Sequence, residues 1–232
     1  MNMGTKLQLG FMVMEKGLGL WYNIYTLREI AMLENEINIQ HDFAKEEKVS
    51  KLKALKLFDT NEMENIEVGT YKGLSKIHKF LFEDIYSFAG EIRKENIAKG
   101  NFRFASCMYL EDVLKKIDDM PQTSFEDIVK KYVEMNIAHP FREGHGRSTR
   151  IWLDMILKKE LNKVIDWSKV DKEDYLLAME RSPVKDTEIK LLLQNALIDK
   201  VNDSLVFMKG VDTSYQYEGY YTYKLEDLDQ NS

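Results

Sequence analysis

The densest chemistry in the chain lies in twelve consecutive residues, His139-Pro-Phe-Arg-Glu-Gly-His-Gly-Arg-Ser-Thr-Arg150, which hold two of its four histidines, two glycines and three arginines. Gly144 and Gly146 permit backbone conformations that turn successive N–H groups to one side, and a helix is expected to start near Arg147, so the loop can cradle an anion. Phosphate is the obvious candidate. Arg147 and Arg150 stand at i and i+3 in the first turn, at the positive end of the helix dipole, where a cation costs ~0.3–1 kcal/mol. Something negative should therefore occupy that space, and an arginine fork suits phosphate because it donates two parallel hydrogen bonds. Glu143 adds a hard oxygen ligand fit for Mg²⁺ shared with a nucleotide. His139, pinned by Pro140, is a candidate general base. A base, a metal ligand and an anion cradle together point to phosphoryl or nucleotidyl transfer. Zinc bound by His139 and His145 is disfavoured, because their spacing across a loop matches no standard ligand pattern and no cysteine joins them.

Two helices must position this loop. Ser124 reads as the N-cap of the first, with Phe125, Ile128, Val129, Tyr132, Val133 and Ile137 on one face. Its end is expected at Pro140, since a residue before proline is driven out of helical geometry. The second helix carries Ile151, Trp152, Leu153, Met155, Ile156 and Leu157, apolar nearly all round, and so belongs at the centre of the core. Upstream, Leu74, Ile77, His78, Leu81 and Ile85 predict a helix over 68–88, on which His78 is read as a structural or surface histidine rather than as a ligand. In Ile97-Ala-Lys-Gly-Asn-Phe-Arg-Phe104 a turn signal followed by alternating apolar residues predicts a β-hairpin, whose edge could pair with an extended peptide.

The rest of the chain bounds the answer. With 232 residues, 44% hydrophobic and 31% charged, it suits one large mainly α-helical domain with appendages. A net charge of -6 argues against a general polyanion binder, so any anion is bound locally and no direct nucleic-acid partner is expected. One cysteine, Cys107, excludes an internal disulfide framework and suits a reducing cytoplasm. The apolar run 9–22 is interrupted by Glu15 and Lys16, short of the ~20 residues a membrane span needs, and no signal-peptide cleavage pattern follows it. Residues 1–31 are therefore expected to be an extension, with Met32 as the native start.

The twelve-residue loop resembles the signature of the Fic family, H-P-F-x-[D/E]-G-N-G-R-x-x-R, and the similarity is expected to run from about Met32 almost to the C-terminus. The resemblance implies a Fic helical bundle over 32–197, with the β-hairpin as a flap over the active site, and a C-terminal segment over 198–232. It also implies transfer of AMP from ATP to a Tyr, Ser or Thr hydroxyl of a target protein, with Mg²⁺. By resemblance His139 deprotonates the target hydroxyl, Glu143 holds the metal, and Gly144 to Gly146 hold the phosphates. Arg147 contacts the β-phosphate region and Arg150 the γ-phosphate, and Ser148, Thr149, Lys99 and Asn136 join the nucleotide site. Lys99 lies on the flap that clamps the target segment by strand pairing. Bacterial targets such as type II topoisomerase B subunits are implied partners. The signature's asparagine is His145 here, which keeps a weakened or silent nucleotide-binding module open as the alternative.

Ser214-Tyr-Gln-Tyr-Glu-Gly219 sets Ser214 and Glu218 one helical turn apart, with Gly219 as a helix stop. The segment resembles the [S/T]-x-x-x-E-[G/N] inhibitory motif that one Fic class carries in a C-terminal helix. The resemblance pairs Glu218 with Arg150 and so blocks the γ-phosphate position. Relief in that class involves dissociation of a homo-oligomer and self-modification, which makes Tyr215 and Tyr220 candidate modified residues.

Overall fold

The computed structural model describes residues 27–100 and 102–229. The described residues from 41 onward form one compact unit. Helix α1 (Leu27–Asp59) runs unbroken through Met32, the expected start of the folded region. The expected extension otherwise lies outside the described residues, and the expected boundary at residue 197 falls inside strand β4 (Leu197–Ile198). No described helix is long and apolar enough to cross a membrane.

The protein is mainly helical. Helix α2 (Tyr71–Phe82) is capped by Thr70, whose hydroxyl accepts the Gly73 N–H, and buries Leu74, Ile77, His78, Leu81 and Phe82. It is shorter than the predicted 68–88: the chain leaves the helix after Phe82 and turns repeatedly until Gly90, which has a φ of 82°. The hairpin forms as predicted, with strand β1 (Ala98–Lys99) antiparallel to β2 (Phe102–Arg103). Helix α3 (Leu110–Asp118) follows, burying Leu110, Leu114 and Ile117.

Ser124 caps helix α4 (Phe125–Ala138) by accepting the Asp127 N–H. Helix α5 (His145–Leu161) starts two residues before the predicted position, because Gly144, at φ 73°, takes the left-handed turn that opens it. A β-carbon on Gly144 would also strike the Phe82 ring at 2.5 Å, so only glycine fits there. Helix α5 packs against α2, α4 and α8 (Ser204–Tyr217), and its burial on most sides places the motif's second half inside the core. Strand β3 (Val164–Ile165) pairs antiparallel with β4, and helices α6 (Lys172–Arg181) and α7 (Thr187–Asn195) form the connection between them.

Asp203 caps α8 by accepting the Leu205 and Val206 N–H groups. At its other end Gly219, at φ 93°, donates to Gln216 O, and Tyr220 N–H donates to Tyr215 O. This pair of bonds satisfies carbonyls that the helix end leaves open. The tail then turns back to a short helix, α9 (Leu225–Asp229).

Candidate active site

Helix α4 delivers His139 at its C-cap in a left-handed conformation, φ 48° and ψ 64°. The sequence reading expected an exit from helical geometry before Pro140. The chain leaves in the opposite sense from the extended one that a pre-proline residue favours, and a non-glycine residue held there is strained. His139 is half-buried, with the Phe104 ring 3.9 Å and the His145 ring 4.0 Å away between centroids. Burial first, then the positive charges of Arg93 and Lys99, hold its pKa well below the usual imidazole range. The ring is neutral at pH 7 and therefore able to accept a proton.

The loop between α4 and α5 is locked from beneath by His78. Its Nδ1 accepts the Gly90 N–H at 2.9 Å, so Nε2 carries the proton and donates to Glu143 O at 2.8 Å. The ring is fully buried and stacks on Phe141 at 3.9 Å. His78 is thus a structural rather than a surface histidine, one of the two roles its sequence context left open, and it fixes the backbone of the residue just before Gly144.

The first turn of α5 leaves its early N–H groups without partners inside the helix. Gly146 lies in this turn, and Arg147 and Arg150 flank it. The negative group in this space is Glu218, from the C-cap of α8. Its Oε2 is 2.7 Å from Arg147 Nε and its Oε1 is 3.1 Å from Arg150. Arg150 also donates from Nε to Ser214 Oγ at 2.6 Å and from Nη2 to Ser214 O at 2.9 Å. The expected Glu218–Arg150 pair is present, but the carboxylate bridges both arginines, which the sequence reading did not foresee.

Arg147 has a second acidic partner, Glu46 on α1, at 2.8 Å. Tyr220 donates its hydroxyl to the same Glu46 oxygen at 2.6 Å, and Tyr86 donates to it as well. The Tyr215 ring is buried between the cations of Arg147 and Lys51, at 5.1 and 5.2 Å. Both candidate modified tyrosines are therefore engaged in this conformation. Lys51, also buried, pairs with Glu47 and with Asp212 of α8 at 2.9 Å each. Glu47 in turn accepts the N–H groups of Thr222 and Tyr223, so the tail after Glu218 is bolted to α1.

The remaining predicted site residues are less uniform. Ser148 and Thr149 are fully buried and turn their hydroxyls back on their own helix, to Gly144 O at 3.0 Å and His145 O at 2.9 Å. Their side chains are spent there. Asn136 likewise donates to Tyr132 O at 2.9 Å, while Lys99 is exposed on the hairpin. His145 is buried, with neither ring nitrogen hydrogen-bonded, and burial, with His139 beside it, drives its pKa far down. Glu46, Lys51, Tyr86, Arg93 and Asp212 were missed. On α1, Glu46 and Lys51 read as part of an ordinary solvated charged face, and no local pattern set them apart.

Glu143 is exposed, and no three His, Cys, Asp or Glu side chains converge as a metal cage among the described residues. Partial desolvation, opposed by Arg147 and reinforced by Glu218 and Glu46, raises its carboxyl pKa. One carboxylate beside an anion cradle fits Mg²⁺, which keeps several waters and takes phosphate oxygens as its other ligands.

Comparison with known proteins agrees with this arrangement. The profile of the Fic/DOC family matches residues 69–157. The protein adenylyltransferase VbhT of Bartonella schoenbuchensis is 28% identical over 209 residues, covering 84% of this chain and 40% of that protein. A probable protein adenylyltransferase Fic of Escherichia coli is 23% identical over 195 residues, covering 78% of this chain and 94% of that one. The chain thus spans less than half of the first relative and nearly all of the second. The crystal structure of BepC, a VirB-translocated effector of Bartonella tribocorum with bound AMPPNP, shares the fold at a TM-score of 0.52 and 19% identity, covering 79% of this chain and 95% of that one. The loop, helix α4, the hairpin and most of helix α5 lie inside the matched region, so over residues 69–157 the chain matches the Fic/DOC family.

Proposed function

We propose that the chain is a self-inhibited protein adenylyltransferase that moves AMP from ATP to a hydroxyl side chain of a target protein, itself included. The observation that carries this reading is the Glu218 carboxylate set between Arg147 and Arg150 over the first turn of α5, where the cradle would receive phosphate. His139, neutral and beside the hairpin, takes the proton of the target hydroxyl. The freed oxygen attacks the α-phosphorus while the bond to the β-phosphate breaks, and pyrophosphate leaves. Arg147 and Arg150 stabilise the charge that builds on the leaving group. Glu143 would hold Mg²⁺, which when bound neutralises phosphate charge.

In this reading Glu218 denies both guanidiniums to the triphosphate, so ATP binds in a pose in which attack is misaligned. The test is labelling with α-³²P-ATP of the chain and of its Glu218→Gly form, alone and with a bacterial lysate. Label appearing with Glu218→Gly supports the proposal; no label from either form, under conditions where ATP binding is measured, defeats it.

A second reading, a silent nucleotide-binding module, is favoured by one observation. The His145 imidazole, larger than the family's asparagine, stands 4.0 Å from the base with neither nitrogen hydrogen-bonded. ATP binding without labelling in the Glu218→Gly protein, with labelling appearing in a Glu218→Gly, His145→Asn double variant, would select this module.

A further inference from the structure

Arg93 is a buried cation, 3% exposed, and none of the ion pairs among the described residues involves it. Its guanidinium is satisfied by main-chain carbonyls. Nε donates to His139 O at 2.8 Å, one terminal nitrogen donates to Glu95 O at 2.6 Å, and the other donates to Ala105 O and to Ala138 O, the latter at 3.1 Å. Its own N–H donates to Pro140 O at 2.8 Å.

These acceptors belong to two structures that must agree for the reaction to proceed. Ala138, His139 and Pro140 are the end of α4 and the residues that set the backbone of the base. Glu95 and Ala105 are the two legs of the hairpin, one before β1 and one after β2. A single planar group thus spans both legs and the base. Ala105 N–H adds a bond to Ile137 O at 3.0 Å, and the Phe104 ring rests on His139. The positive charge also sits at the negative end of the α4 dipole, where it is favoured.

The left-handed, pre-proline conformation of His139 needs this kind of over-determination to persist. Lysine could not supply it, since one ammonium has neither the flat fork nor the reach to serve four carbonyls arranged around a plane.

We propose that Arg93 is a positioning residue for the transfer reaction: it holds the base in its left-handed conformation and keeps the hairpin in register with it. The inference rests on the adenylyltransferase reading. Arg93 touches no reacting atom; it acts through His139 and through the legs of the hairpin.

The test compares Arg93→Lys and Arg93→Ala in a Glu218→Gly chain, using self-labelling with α-³²P-ATP at varied ATP concentration. Misplacement of a base by about 1 Å lowers rate by roughly 100-fold. The maximal labelling rate should fall by that order in both variants, with the half-saturating ATP concentration changed less than about threefold, as expected for lost alignment without lost binding. Guanidinium ion should restore at least about tenfold of the Arg93→Ala rate by refilling the same site, and should do nothing for Arg93→Lys, where the ammonium remains. Labelling of Arg93→Lys within about threefold of its parent overturns the proposal, as does an equal loss of ATP affinity and rate, which general destabilisation would give.

A readout free of activity separates this inference from the functional reading. Amide hydrogen exchange in the otherwise unaltered chain should accelerate at Ala105 and His139 in Arg93→Lys, while α2 and α5 keep their protection. Unchanged exchange at both amides overturns the positioning role even if labelling is never seen. Local acceleration in a chain that labels nothing supports the clamp and counts against the function instead.

Discussion

The Glu218 carboxylate occupies the space in front of Gly146: a β-carbon on that glycine would lie 2.6 Å from Oε1. Gly146 therefore leaves the room that the Glu218 carboxylate fills. The same absence of a side chain that lets a phosphate approach the backbone lets the chain's own carboxylate take its position.

Removing that carboxylate should free both guanidiniums. In Glu218→Gly the self-labelling rate is expected to rise at least about tenfold, because alignment rather than binding is what the carboxylate obstructs. The ligand-free variant should also melt at lower temperature than the parent, since two buried cations lose a partner, and ATP should recover much of the difference. Parallel labelling and thermal unfolding check both halves.

His145→Asn should raise labelling further in the Glu218→Gly background. Asparagine presents a donor and an acceptor in less volume than imidazole, next to a base whose ring is 4.0 Å away. Equal or lower labelling in the double variant would sink this expectation.

Lys51, fully buried with Glu47 of α1, also joins the partly buried Asp212 of α8, and Glu47 holds the tail. Breaking a buried ion pair by removing one member typically costs ~3–5 kcal/mol. Lys51→Met is expected to lose stability of that order in urea unfolding. It should also label itself without any change at Glu218, because the bolt on α8 is gone.

His78 gives the fold a pH dependence of definite sign. Burial holds its pKa near 4 in the folded protein, against 6.5 for the free side chain, so the unfolded chain binds the proton more readily. Acidification from pH 7 to 5 therefore destabilises the fold, by about 2 kcal/mol from this residue. His78→Gln can offer one donor to Glu143 O and one acceptor to the Gly90 N–H without titrating. Denaturant midpoints across that range should fall less steeply in the variant, by about that amount. An unchanged slope would show that His78 does not carry it.

The loop was legible because its chemistry is local. Two glycines, two arginines at helical spacing and a histidine before proline announce an anion cradle and a base within twelve residues. The caps at Ser124 and Gly219 were legible for the same reason, since a cap satisfies backbone groups within a few residues. The end of α2 was not, because Leu74, Ile77, Leu81 and Ile85 keep helical spacing past the point where the chain turns towards Gly90 and the His78 ring. The start of α5 was set two residues late because Gly144 reads as loop, although its left-handed geometry makes it the N-cap.

By itself the sequence determined that the protein is helical, that an anion belongs at the start of α5, and that Ser214 and Glu218 share a helix face. Each of these follows from spacing or from a residue's own conformational limits. Only the tertiary structure decided which carboxylate lies in the cradle. It set Glu218 across both arginines, brought Glu46 from 101 residues upstream of Arg147, and gave Arg93 four carbonyls to hold. Charges on a solvated face and charges on a buried one are the same letters in sequence. Which they become depends on what the fold packs against them, and desolvation then turns an ordinary Glu, Lys or Arg into a partner that must be satisfied.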